Sequence, residues 1–370
     1  MKTLLFSLGI SYLLAATTAP AAPGVPSELL QTGLLIVANG QTYTFPVQEK
    51  DLSSSGLTPA FLNYVLSTLH SLIDVAPQDI HLLSADLTTV SKVTLEGTIK
   101  GGQKVVDFLT RPQIVWAVFQ NTNTANAFVE KQDGQILNET GQELGPLELL
   151  GEGKSTFWGS SPEREFNIRK ALNEKMNGIL IPPGAEFSYV DALGPIEYGG
   201  WKRALVIVNG TEVEPAPAGG VCQVSTTMYR AALDAALDIT EQRNHSLYVI
   251  YYNDYGDGLD ATVFPGEQDL KFVNNTPNYL LMIAQEEGYY ESTIRFYGQS
   301  DGRSTTLIGP YTASNQTDES TANVGKLGIG EIVWKYLIRH GNGTEETRWL
   351  RSTYFSKANQ HKEAANELTL

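Results

Sequence analysis

The sequence predicts an α+β protein, and three observations carry that class. Apolar residues fall at helical spacing in three separate stretches, Phe61 to Ile73, Ile168 to Met176 and Val224 to Ala235. Short strand-like runs surround them, bounded by turn signals such as Asn39-Gly40, Asp133-Gly134 and Pro182-Pro183-Gly184. From Leu247 onward the apolar pattern switches to period two. Strands therefore follow the last helix in a block instead of alternating with helices.

In chain order, Lys2, the apolar run Leu4 to Ala16 and Ala19-Pro20-Ala21-Ala22 spell a secretory signal peptide over residues 1–22, cleaved near Ala21 or Ala22. The run is short for a bilayer span, which needs about 20 apolar residues, so the mature chain is expected to have none. An α+β domain is expected over 24–150. Leu34 to Val37 and Tyr43 to Val47 form a hairpin on Asn39-Gly40. Thr58 caps a helix that Pro59 opens, with Phe61, Leu62, Val65, Leu66, Leu69, Leu72 and Ile73 on its apolar stripe. Val93 to Ile99, Ile114 to Phe119 and Ile136-Leu137 read as strands. His70 and His81, in or beside apolar stripes, are expected to be structural.

Leu149 to Thr156, carrying Gly151 and Gly153, reads as a linker into a second domain over 155–300. Ser161-Pro162 starts a helix through Ile168, Leu172 and Met176, ended by Gly178. Strands are expected at Glu186 to Ser188 and Ala204 to Val208. A helix over Gln223 to Leu237 precedes an antiparallel meander: Leu247 to Tyr252, Ala261 to Phe264, Leu270 to Val273, Tyr279 to Ala284 and Ser292 to Tyr297. The remainder, 301–370, holds a polar stretch at Thr317 to Val324 and a hairpin from Glu331 to Ile338 and Arg348 to Tyr354.

Composition narrows the function. A net charge of −15 argues against nucleic acid and anionic lipid as partners, because both require basic surface. The chain has one cysteine, so no internal disulfide can form. A lone thiol in an exported chain is either reactive or held for intermolecular pairing, unless it is simply buried as a small apolar residue.

That thiol, Cys222, follows Gly219-Gly220-Val221 at the start of the predicted helix, where free N–H groups and the macrodipole favour a thiolate. The two glycines permit close approach of another chain. His245 stands just before the first meander strand and Asp260 at the head of the next, so strand pairing would set them side by side. A thiol, an imidazole to take its proton and a carboxylate to hold the imidazole are the parts of nucleophilic acyl transfer. Oxyanion donors would be the N–H groups of Cys222 and Gln223, with hydroxyls from Ser225 or Thr226. Arg243 and Arg230 could bind a substrate carboxylate, although Asp234 at i+4 also offers Arg230 a salt bridge.

Against this, His245 could cap a strand and Asp260 could hold its loop by accepting backbone N–H groups. A zinc site is disfavoured, since there are five histidines in all, no cysteine pair and no His-x-x-x-His. Neither metal nor cofactor is expected. Tyr189, Tyr198, Trp201, Tyr248, Tyr251, Tyr252 and Tyr255 crowd the same region, as either core packing or a sugar-stacking cleft. The order of Cys at a helix start, His on one strand and Asp on the next resembles the papain-like and transglutaminase-like thiol enzymes in topology alone.

Six ordered motifs carry a closer likeness: Asn167 to Gly178; Pro183-Gly184-Ala185-Glu186-Phe187-Ser188; Gly219 to Tyr229; Arg243-Asn244-His245-Ser246; Asp260-Ala261-Thr262-Val263; and Asp269 to Asn274. Over about 155–300 the chain resembles the VanW-like family, named for a protein of vancomycin-resistance clusters. Val190-Asp191 and Ala218 depart from the family pattern, which usually has Asn after Phe-Ser-aromatic and a third glycine before Gly-Val-Cys. The 24–150 segment is only loosely similar to the domain that often precedes it, described as peptidoglycan-binding. The resemblance implies a bacterial cell-envelope setting and no agreed reaction.

Two functional readings stand. In one, the chain is an exported thiol acyl-transfer enzyme (amidase, peptidase or transpeptidase) on peptidoglycan peptides, with Cys222 as nucleophile, His245 as general base and Asp260 as orienter. In the other, it is a non-catalytic peptidoglycan- or glycan-binding module, or an envelope scaffold with protein partners.

Overall fold

Gly151 and Gly153, on the stretch expected to be a linker, lie in a nine-residue strand, Glu148–Thr156. This computed structural model describes residues 27–53, 56–208 and 212–355. The stretch 1–22, expected to be a signal peptide, and the last residues, 356–370, lie outside them. The chain divides into two units, one of residues up to Ile80 with Gly97–Gln135, the other of His81–Glu96 with everything from Ile136 on.

In the first unit, the hairpin Leu34–Ala38 and Gln41–Phe45 pairs antiparallel as expected, and Thr124–Asn126 adds a parallel neighbour. The helix Pro59–Ile73 starts where predicted, with the Thr58 hydroxyl accepting from the Phe61 N–H at 3.2 Å. Phe61, Leu62, Val65, Leu66, Leu69 and Ile73 are buried, but Leu72 faces outward. Ile114 to Phe119, expected as a strand, belongs instead to the helix Asp107–Phe119. Its buried residues Ile114, Ala117 and Val118 sit at i, i+3 and i+4, a pattern that the β-branched run conceals. His70 bonds Asp74 and Asp107 at 2.7 and 2.8 Å, a structural role.

The second unit is built on a five-stranded sheet. Its order is Glu148–Thr156, Glu291–Gly298, Leu280–Glu287, Ile179–Ile181 and Ser91–Lys92. The predicted meander is thus only partly present: two of its strands form a hairpin, and strands from before the helix complete the sheet. Leu247 to Tyr252 is no strand but loop ending in the short 3-10 turn Ile250–Tyr252. Ala261 to Phe264 is extended chain with only an isolated bridge, Phe264 to Gln268. The polar stretch near Thr317 is a short helix, Asp318–Val324. Ser304–Thr312 was not foreseen; it joins the predicted hairpin Glu331–Arg339 and Glu345–Thr353 in a three-stranded sheet.

The central helix, Val221–Asp234, lies on the first strand of the large sheet, and the glycines explain how. A Cβ on Gly153 would stand 2.1 Å from the Thr227 carbonyl oxygen and 2.4 Å from the Ala231 nitrogen. One on Gly151 would stand 2.4 Å from the Ala235 nitrogen. Only bare backbone lets helix and strand meet this closely. The predicted apolar face, Val224, Met228, Ala231, Ala232 and Ala235, is buried in the main core, and Asp234 is exposed as expected. The polar face is also buried: Gln223, Ser225, Thr226, Thr227 and Arg230 are all enclosed. A helix buried on both its apolar and most of its polar face must satisfy those polar groups internally, and this one does so in ways that shape the site.

Candidate active site at the start of the central helix

Gly220 caps the central helix with φ of 106°, a left-handed conformation that a side chain would strain. The neighbouring Gly219 packs within 2.5 Å, for an added Cβ, of the Ala204 carbonyl, so the expected close approach of a second strand is present. The buried Tyr189 hydroxyl donates to the Val221 carbonyl oxygen at 2.9 Å and Asn167 donates to that of Gly219 at 2.9 Å. Cys222 is thereby held in the first helical turn, partly exposed. Among the described residues no carbonyl accepts from its N–H, leaving that donor free. The Gln223 N–H is not free: it bonds the Gly220 carbonyl at 2.9 Å, so it cannot serve as the expected oxyanion donor.

His245 and Asp260 meet without the predicted strand pair. Asp260 Oδ2 accepts from the His245 backbone N–H at 2.8 Å and bonds its ring Nδ1 at 2.5 Å. Both residues are buried. With Nδ1 engaged, Nε2 is the ring nitrogen left for Cys222, and imidazole and thiol lie close enough to shift each other's protonation. The sulfur also lies 3.6 Å from the Val263 carbonyl oxygen and 4.0 Å from Thr262 Oγ1. Tyr252 packs against the imidazole, ring centres 5.5 Å apart. The carboxylate is thus bonded to the imidazole, and the imidazole stands beside the thiol.

Its electrostatics favour an ion pair. Burial pushes the Cys222 thiol up, but His245, the Val263 backbone and Thr262 outweigh it and hold the thiol below its ordinary value. Burial pulls His245 down, yet the bonds to Asp260 and Cys222 win and raise it to about 10. An acidic thiol beside a basic imidazole places the proton on the ring.

The other expected residues hold this chain from behind. Ser225 Oγ donates to the Ala261 carbonyl at 2.6 Å, and Thr226 Oγ1 accepts from the Ala261 N–H at 3.1 Å. Both hydroxyls are committed to backbone and neither is offered to a substrate. The Gln223 side chain bonds Ser155, the Thr156 carbonyl and Arg164, at 2.7, 2.9 and 2.8 Å. Arg230 makes neither of its expected contacts. Buried beneath the loop, it donates to the carbonyls of Leu259, Lys154, Tyr252 and Gly256 at 2.5–3.0 Å. Asp234 instead accepts from the Glu152 N–H at 2.9 Å. Arg243 is exposed, and its carbonyl accepts from the Thr262 N–H at 2.8 Å.

One member was missed. The Tyr354 hydroxyl, from the end of the C-terminal hairpin, donates to Asp260 Oδ1. Around it, Ser352 donates to the Gly258 carbonyl at 2.7 Å, Asn244 to the Thr353 carbonyl at 2.9 Å, and the Phe355 N–H to the Ser246 carbonyl at 2.9 Å. Nothing in local spacing could join residues this far apart in the chain. Most of the crowded aromatics are core: Tyr189, Trp201, Tyr248 and Tyr252 are buried, while Tyr198 is exposed. Among the described residues no group of His, Cys, Asp and Glu is arranged to hold a metal.

Comparison with known proteins falls on the segment that carries the thiol. Residues 163–297 match the model of the family described as VanW like protein. YoaR, an uncharacterized protein of Bacillus subtilis, is 32% identical over 140 residues, 38% of this chain and 45% of the relative. The vancomycin B-type resistance protein VanW of Enterococcus faecalis is 31% identical over 114 residues, 30% of this chain and 41% of the relative. The chain spans less than half the length of both relatives. No solved structure matches it. Among the described residues no helix is long and apolar enough to cross a membrane.

Proposed function

We propose that this chain, whose thiol sits in a VanW-like segment, is an exported cell-envelope enzyme that transfers acyl groups of peptidoglycan peptides through Cys222. The observation that carries the reading is the gathering of Asp260, His245 and Cys222 at one place, with Asp260 bonded to the His245 ring and Cys222 at a helix start with a free N–H. The leader-like residues 1–22 support export, and the relative named for vancomycin resistance supports a wall setting.

The chemistry follows from the ion pair. The Cys222 thiolate attacks a peptide carbonyl carbon, and the Cys222 N–H is the donor available to the oxyanion. The C–N bond breaks, the leaving amine takes the proton from His245 Nε2, and a thioester remains on Cys222. His245, now neutral, removes a proton from water or an acceptor amine, which attacks the thioester and regenerates the thiolate. His245 therefore acts first as acid and then as base. Asp260 keeps its ring oriented and stabilises the imidazolium throughout.

The test is mass spectrometry of the protein after incubation with muropeptides of defined stem length. A Cys222-linked acyl adduct, with products absent in Cys222→Ala, is expected. A well-folded protein that binds sacculi, forms no adduct and loses nothing on Cys222→Ala would instead be a wall-binding module.

A further inference from the structure

Asp260 has two oxygens and three bonds to them. Oδ2 serves His245 twice, through the backbone N–H and the ring, and Oδ1 receives the Tyr354 hydroxyl. Tyr354 lies outside the segment 163–297 that matches the family, at the end of a hairpin whose other contacts clamp the loop between His245 and Asp260. Its ring packs edge-on against Tyr248, centres 5.4 Å apart, so its position is set by the core and not by Asp260 alone.

From this we infer that Tyr354 is a positioning residue of the thiol site, fixing the Asp260 carboxylate so that its second oxygen faces the His245 ring. The inference rests on the acyl-transfer reading of the site, because it concerns how the Cys222–His245 pair is kept ionised. The titratable and charged groups facing Asp260 are His245, Tyr252, Tyr229, Arg230 and Tyr354. The three tyrosines are all pushed up by burial and remain neutral donors, and Arg230 at about 10 remains cationic. Without the Tyr354 hydroxyl, Oδ1 would be a buried acceptor lacking its donor, and the carboxylate would lose the bond that fixes its rotation. A rotated Asp260 no longer supports the imidazolium, and the thiol then holds its own proton to higher pH.

The test compares the unsubstituted chain with Tyr354→Phe, reading the rate of Cys222 alkylation by iodoacetamide across pH 5 to 10 alongside thermal unfolding. Tyr354→Phe is expected to shift the midpoint upward by about half a pH unit or more, a fall of about threefold in rate at pH 6. The rate at pH 9 should stay within about a factor of two. Trp334→Phe removes a neighbouring hairpin bond, from the indole N–H to the Asp257 carbonyl, and is expected to lower stability without moving the profile. A Tyr354→Phe profile that coincides with a depressed unsubstituted profile overturns the role of Tyr354 alone. An unsubstituted thiol that titrates as an ordinary one overturns the acyl-transfer reading and this inference together. If Tyr354→Phe fails to fold, a crystal structure of the unsubstituted chain decides: a Tyr354 hydroxyl out of hydrogen-bond reach of Asp260 rejects the inference.

Discussion

One oxygen of Asp260 binds His245 at two points, the backbone N–H at 2.8 Å and ring Nδ1 at 2.5 Å. This double hold sets both the place of the residue and the tilt of its imidazole, and it leaves Nε2 for the sulfur. Asp260→Asn keeps the shape but removes the charge, and an amide nitrogen can present a donor where the ring needs an acceptor. Alkylation of Cys222 at pH 6.5 is expected to fall by about tenfold or more, as the loss of one pKa unit of imidazolium support requires. Iodoacetamide kinetics on the folded variant would measure it, and an unchanged rate would count against the coupling of Asp260, His245 and Cys222.

The pH window follows from the two shifts. His245, raised from 6.5 to about 10, contributes stability that is complete below about pH 6.5 and is lost as pH rises through about 10. Cys222, lowered from 9.0, contributes stability that is complete above pH 9.0 and is lost as pH falls through its lowered value. Between the two folded values the site is a thiolate–imidazolium pair. Alkylation in the native chain should therefore reach its half-maximal rate at lower pH than in the same chain unfolded in urea. Coincident midpoints would mean that folding does nothing for the thiol.

Gly153 should not tolerate even a methyl group. The intruding Cβ would meet helix backbone, at 2.1 Å from the Thr227 carbonyl oxygen, and backbone cannot rotate away as a side chain can. Gly153→Ala is expected to destabilise the chain by about 3 kcal/mol or prevent folding, since overpacking costs about 1–3 kcal/mol and more where nothing yields. Urea unfolding gives the value directly. A loss below about 0.5 kcal/mol would show that helix and strand are farther apart than described.

Arg230 offers a separate check on how the site loop is held. Its guanidinium reaches four carbonyls, Leu259, Lys154, Tyr252 and Gly256, which a lysine ammonium cannot reproduce. Arg230→Lys should cost about 2–4 kcal/mol, the loss expected when buried carbonyls are left unpaired around a charge. It should also slow Cys222 alkylation at neutral pH, because Leu259 and Tyr252 flank Asp260 and His245. Unfolding curves and alkylation rates on one preparation would test both.

Much of the local structure was legible before any coordinates. Thr58-Pro59 and Ser161-Pro162 mark helix starts because a hydroxyl cap and a fixed φ act within a few residues. Asn39-Gly40 marks a hairpin because both residues accept positive φ, 49° and 75°. The failures were segments whose partners are distant. Ile114 to Phe119 looked like a strand by its β-branched residues, yet it is buried along one face of a helix. Leu149 to Thr156 looked like a linker because its glycines suggested flexibility, when they are the surface on which the central helix rests. Leu247 to Tyr252 reads like a strand, but the Tyr252 carbonyl goes to Arg230 and the Tyr248 ring to the hairpin core.

By itself the sequence determined that Cys222 opens a helix, since a glycine pair, the unpaired N–H groups of a first turn and an apolar face at helical spacing are properties of contiguous residues. It also singled out His245 and Asp260 as the chemistry a thiol would need. Only the tertiary structure decided how they meet: not across paired strands but through irregular chain, clamped by Ser225, Thr226 and Arg230 to a largely buried helix and closed by Tyr354 from far along the chain. Periodicity reports which face of an element is buried. It carries no information about which distant hydroxyl or guanidinium will satisfy the polar groups that burial strands there, and in this protein those distant partners hold the thiol site together.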